Sequence, residues 1–143
     1  MLLGYEGADH VLIRVRNPLQ LGQTDDGDAL WLDSPIEVVA GGLFGRAGAG
    51  LRANELKDFR IGLERLYESL KGEAILQSVE PWLSLEVQVT RTGGLVVTGE
   101  LRDQPGSRNR LTFSLSGLDQ SFLLPAIRGL REIERYFPVL DKT

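Results

Sequence analysis

A chain of 143 residues, 42% hydrophobic and 25% charged, is long enough for one domain with a core of its own. It has no cysteine, which excludes a disulfide scaffold, a thiolate zinc site, an iron–sulfur cluster and a cysteine nucleophile. Its 20 acidic and 16 basic residues leave a net charge of -4, which disfavours a free nucleic-acid binder and suits a basic protein partner.

No stretch approaches the roughly 18 apolar residues of a bilayer-spanning helix. The opening Met1-Leu2-Leu3-Gly4-Tyr5-Glu6 lacks the basic start and long apolar run of a secretory signal. A cytoplasmic protein without membrane contact is the expectation.

Val11, Ile13 and Val15 alternate with Leu12, Arg14 and Arg16, which predicts a first strand ended by Asn17-Pro18. Gly22 to Asp28 is polar and acidic and reads as a loop. Ala29 to Ser34 and Ile36 to Ala40 suit strands, separated or broken by Pro35, which cannot donate to a ladder. The glycine-rich Gly41 to Gly50 reads as a flexible connection. A first helix is expected from about Asn54, with Leu56, Phe59, Leu63, Leu66, Tyr67 and Leu70 on one face and Gly72 just past its end. Ala74 to Val79 and Trp82 to Thr90 follow as strands. The second alternates strictly, and a tight turn at Gly93-Gly94 joins it to Leu95 to Arg102. Arg110 to Ser116 is the last strand. In the second helix Leu123, Ile127, Leu130, Ile133 and Phe137 form the apolar stripe, Pro125 starts the regular turns, and Pro138 stops them.

Strands with one apolar face call for an antiparallel sheet covered by helices on one side. The expected class is α+β: a curved antiparallel sheet of about six to seven strands, with two helices packed on its concave face and residues 1–143 forming a single domain.

Three groups of residues are candidates for chemistry. Gly48-Ala49-Gly50-Leu51-Arg52-Ala53 matches a loose dinucleotide pattern ahead of a helix, with Glu80 as the ribose acid. That pattern should follow its strand at once, and the surrounding hairpins are unlike a doubly wound domain. A small ligand- or nucleotide-binding module using Gly41 to Gly50 is the alternative reading. Asp25, Asp26, Asp28 and Asp33 gather around Trp31. They lack calcium-loop spacing, so the expectation is no metal and no cofactor. As an acidic, partly aromatic surface they suit a basic protein partner. His10, the single histidine, has no motif around it and reads as a surface residue, and Glu64 with Glu68 reads as the solvated side of the first helix. The chain has no nucleophile elbow, Walker loop or metal-binding histidine pair, so no enzyme is expected.

Several blocks, in order, resemble the WapI-type immunity proteins and related bacterial proteins. They are Asp28-Ala29-Leu30-Trp31-Leu32, Glu55-Leu56 opening a helix, Glu80 and Leu83 entering a strand, Leu111-Thr112-Phe113, Asp119-Gln120-Ser121, and the Tyr136 to Pro138 ending. The resemblance implies a small, non-enzymatic cytoplasmic protein that binds and neutralises a toxin domain, often a nuclease, from a secreted protein. An acidic inhibitor fits a basic nuclease because it competes with nucleic acid for the same field. On this reading the partner-binding residues are Asp25, Asp26, Asp28, Trp31 and Asp33, and nucleic acid is not itself a partner. The toxin's identity and the oligomeric state stay open.

Overall fold

The computed structural model describes residues 1–19 and 30–139. β1 (Leu2–Gly4), β2 (His10–Ile13), β3 (Trp31–Ala40) and β4 (Leu43–Arg52) form one antiparallel sheet in chain order. α1 (Ala53–Ser69) leads to a second antiparallel sheet, also in chain order: β5 (Glu73–Gln77), β6 (Leu83–Val89), β7 (Leu95–Arg102) and β8 (Arg110–Leu115). A single 3₁₀ turn, Gln120–Phe122, opens α2 (Leu123–Tyr136). The α+β antiparallel class is as expected, but the single sheet of six to seven strands is replaced by two four-stranded sheets. The division falls where β4 runs directly into α1, so a helix rather than a hairpin joins the two halves and β4 never pairs with β5.

The glycine-rich stretch is the largest correction. It is a flexible connection only at Gly41-Gly42, a two-residue turn in which Gly41 has φ 59° while Ala40 pairs with Leu43. That is the geometry glycine supplies in tight hairpins. The rest is β4, in register with β3 along its full length. Gly45 keeps the two sheets close: a Cβ there would lie 3.0 Å from Leu111 and 3.1 Å from Leu101.

β3 runs unbroken through Pro35 for a reason of orientation. The Pro35 carbonyl accepts the Arg14 N–H at 3.0 Å, so Pro35 turns its backbone toward the β2 side, one residue past the end of β2. The bond its ring forbids is the reciprocal one to Arg14, and the ladder to β4 loses nothing. α1 ends at Leu70, in the left-handed region at φ 54°, with its N–H bonded to the Leu66 carbonyl at 2.8 Å. The helix therefore turns left-handed at Leu70, two residues ahead of Gly72, which follows the helix end with φ 85°. Pro125 is the third residue of α2, where an N–H has no intrahelical acceptor in any case.

One cluster of buried side chains draws on both sheets and both helices. The stripes lie as the periodicity requires, with Leu63, Leu66, Ile127 and Leu130 all buried. α1 packs on β5 and against α2, and α2 reaches β1.

Candidate partner-binding site

Trp31 opens β3 and is half-buried on the outer face of the first sheet. Arg52 stands opposite it in register, and its guanidinium carbon is 5.9 Å from the ring centroid, a cation–π distance. Leu19 completes this corner: a Cβ on Gly50 would meet its Cδ1 at 3.1 Å and the Trp31 ring at 3.9 Å. Asp33, also half-buried, lies two residues on along the same face. Its N–H donates to the Asn17 carbonyl at 2.8 Å and its carbonyl accepts the Arg16 N–H at 3.0 Å. The structure therefore brings Trp31 and Asp33 together at one rim and adds Arg52, which no local sequence pattern ties to them. Asp25, Asp26 and Asp28 lie outside the described residues. The residues flanking that stretch meet at the same rim, where the Leu19 N–H donates to the Trp31 carbonyl at 2.7 Å.

Below the rim sits Glu55, a buried carboxylate 7% exposed. One oxygen accepts the Arg52 N–H at 2.8 Å and closes the first turn of α1. The other accepts the Val79 N–H at 2.5 Å. Glu55 thus ties the start of α1 to the connection between β5 and β6. Asp119 plays a similar local part ahead of α2, its Oδ1 accepting the Ser121 N–H at 2.8 Å.

At the opposite end of β3 a second polar hub joins the two sheets. The Asp9 carboxylate accepts the Gly41 N–H at 2.8 Å, the Ser116 N–H at 3.0 Å and the Ser116 hydroxyl at 3.2 Å. Those backbone bonds to Ser116 and Gly41 hold its carboxyl below the usual carboxylate range. His10, expected at the surface, is buried at 4% exposure. Its Nδ1 faces the Ala8 and Tyr5 carbonyls at 2.7 and 3.0 Å, and its Nε2 faces the Glu37 carboxylate at 2.9 Å. Both nitrogens face acceptors, an arrangement that favours the doubly protonated, cationic ring. Burial opposes that charge, but the bonds to Glu37, Ala8 and Tyr5 outweigh it and raise the pKa above an ordinary histidine's.

A raised folded-state pKa gives stability that is complete below the unfolded value of about 6.5 and is lost as pH rises through the folded value. Chemical denaturation of wild type and His10→Gln at about pH 5.5 and about pH 8.5 checks this. The stability gap between the two proteins is expected to be wider at the lower pH. A gap of equal size at both pH values contradicts the assignment of charge.

The helices are joined by ions on their outer side. Arg60 bonds Glu134 (Nε to Oε2, 2.6 Å) and Glu64 (Nη1 to Oε2, 3.0 Å), while Arg131 Nη2 reaches Glu64 Oε1 at 2.5 Å. Burial raises the Glu64 pKa, but Arg131 and Arg60 more than reverse this and leave it below its ordinary value. Glu64 is therefore half-buried in a network, and the expected solvated face is corrected there. Beside it a groove of about 320 Å³ is lined by Tyr67, Leu124 and Ile127 between the charged rims.

The nucleotide reading loses its geometry. Gly48 and Gly50 lie inside β4 rather than in a strand-to-helix turn, and the Glu55 carboxylate holds the backbone N–H at the entry to α1 that a phosphate would need. Among the described residues no three His, Asp or Glu side chains gather as a metal site, and no helix is long and apolar enough to cross a membrane.

Comparison with known families assigns the chain. The model of the immunity protein WapI-like family matches residues 1–138, and the chain belongs to that family. No curated protein and no solved structure matches it.

Proposed function

We propose that this chain is a non-enzymatic immunity protein that binds and neutralises the toxin domain of a secreted protein, acting as one domain in the cytoplasm. The observation that carries the reading is the family match, which spans nearly the whole chain rather than one motif. The toxin is basic, by complementarity with a net charge of -4. Contact runs through the rim at Trp31 and Asp33 and through the acidic residues that precede it in sequence, Asp25, Asp26 and Asp28. Support comes from the half-exposed tryptophan at that rim and from the Leu19–Trp31 backbone bond, which brings the flanks of the acidic stretch to it. The aromatic ring supplies the anchor and the carboxylates steer the approach.

Association kinetics against the toxin domain encoded by the neighbouring gene test this surface. The Asp25→Asn, Asp26→Asn double variant is expected to associate more slowly than wild type at low salt, and added salt should shrink the difference. A thermal melt of the double variant separates a change in steering from a change in folding. A double variant that associates as fast as wild type at low salt removes these aspartates from the interface.

A further inference from the structure

The orientation of the β4 backbone follows from the bonds β3 makes on its other side. The carbonyls of Trp31, Asp33 and Pro35 accept from Leu19, Arg16 and Arg14, at 2.7, 3.0 and 3.0 Å. A residue of an antiparallel strand turns its N–H and C=O toward the same neighbour. These three residues therefore face away from β4, and their register partners Arg52, Gly50 and Gly48 face away from β3. Alternation adds Arg46 and Phe44. Two further bonds agree: the Ala53 N–H turns back to Leu30 at 2.9 Å, and the Arg52 N–H turns out to Glu55. Glu55 satisfies Arg52. Among the described residues nothing bonds the outward backbone groups of Phe44, Arg46, Gly48 and Gly50.

Among the described residues β4 is thus an open edge from Phe44 to Gly50. Proteins usually blunt such an edge with proline, a bulge or a row of charges; β4 has neither proline nor bulge, and Arg46 is the one charge along its open part. Leu43 and Phe44, at its start, are 57% and 56% exposed. The outer face of the edge then has a definite order: two large side chains, Phe44 and Arg46, followed by two positions without one, Gly48 and Gly50. Antiparallel pairing of the strand with itself reverses that order. With Arg46 opposite Gly48 of a second copy, Phe44 falls opposite its Gly50, beside its Leu19 and Trp31. A large side chain across from an edge glycine covers exposed backbone and pins register. Of the two registers one step away, one places Arg46 against Arg46, like charges directly opposite, and the other sets Gly48 against Gly48 with no side chain over that backbone, which disfavours both.

We infer that β4 is a self-pairing edge, through which two copies of this chain join about a two-fold axis and continue the first sheet from one copy into the other. The arrangement is isologous, each copy giving the same four outward residues. Four residues a side fall short of the roughly 800 Å² per partner of a standard interface, so a weak, concentration-dependent dimer is expected.

Gly48 gives a clean test, because nothing lies within 4 Å of a Cβ added there and its φ is not in the left-handed region. Substitutions at this position leave the monomer intact, which thermal melts verify. Sedimentation equilibrium of the full chain from about 5 μM to about 500 μM should show a monomer–dimer equilibrium. Gly48→Lys sets a lysine against Arg46 of the other copy at two symmetric places and should weaken the dimer by about tenfold. Gly48→Glu should keep or tighten it, and Gly48→Lys combined with Arg46→Glu should restore it. Three results overturn the inference: a monomer throughout the range, a dimer indifferent to the charge at position 48, or a monomer whose Gly48→Lys variant instead loses toxin binding, which gives the edge to the partner.

Discussion

Leu66→Ala is expected to lower the unfolding free energy by about 2–5 kcal/mol. Leu66 is 1% exposed, on the face of α1 that lies between α2 and β5. The removed carbons lose their transfer energy, and the space they leave is walled by elements fixed elsewhere. The Arg60–Glu134 pair holds α1 to α2, and Glu55 holds α1 to the end of β5. Such walls relax little, which places the cost above the low end of the range. Tyr67→Ala, one residue along and 43% exposed, should cost far less. Denaturant unfolding at fixed pH measures both. A loss below about 0.5 kcal/mol for Leu66→Ala would refute the packing of α1.

Glu55→Ala is expected to cost about 2–4 kcal/mol, from a single buried carboxylate. Two backbone donors lose their acceptor at once, the N–H of Arg52 and that of Val79. The helix start then loses its cap at the Arg52 N–H, the Val79 N–H, on a residue 62% exposed, turns to water, and the Arg52 side chain, 3.7 Å from Glu55, loses its ion partner. Glu55→Gln separates these contributions. Glutamine keeps one accepting oxygen but turns an amide donor toward the second N–H, so it should recover only part of the loss. Equal stability of the glutamine variant and wild type would show that only one of the two bonds matters.

The hairpin of β6 and β7 was legible because both strands alternate without interruption, and the stripes of both helices were legible for the corresponding reason of spacing. β4 was not. Five of its ten residues are glycine or alanine on the inner and outer faces alike, so it carries almost no alternation, and its identity comes from pairing with β3. Pro35 misled in the same way, since whether a proline breaks a strand depends on which neighbour its nitrogen faces. The division into two sheets is a matter of which hairpins adjoin, and alternation within a strand does not encode it. Arg60 and Glu134 meet across 74 residues of sequence, and Asp9 and Ser116 across 107. No local pattern announces such pairs. For the site, the clustering of Trp31 and Asp33 could be read, but not the arginine that covers the ring.

The blocks that carry the family resemblance have structural work in this chain. Glu55 closes one helix onto the second sheet, Asp119 caps the turn into the other, and Phe113 is buried in β8. Such residues fix the scaffold, and a scaffold does not by itself set the partner. That makes the partner, rather than the fold, the decisive question. The most direct test of the proposed function is a titration of a candidate toxin domain with the purified chain, reading residual toxin activity. Activity should fall in proportion to added protein and vanish near equal molar amounts, as stoichiometric capture requires. Full activity in the presence of excess protein would contradict the account.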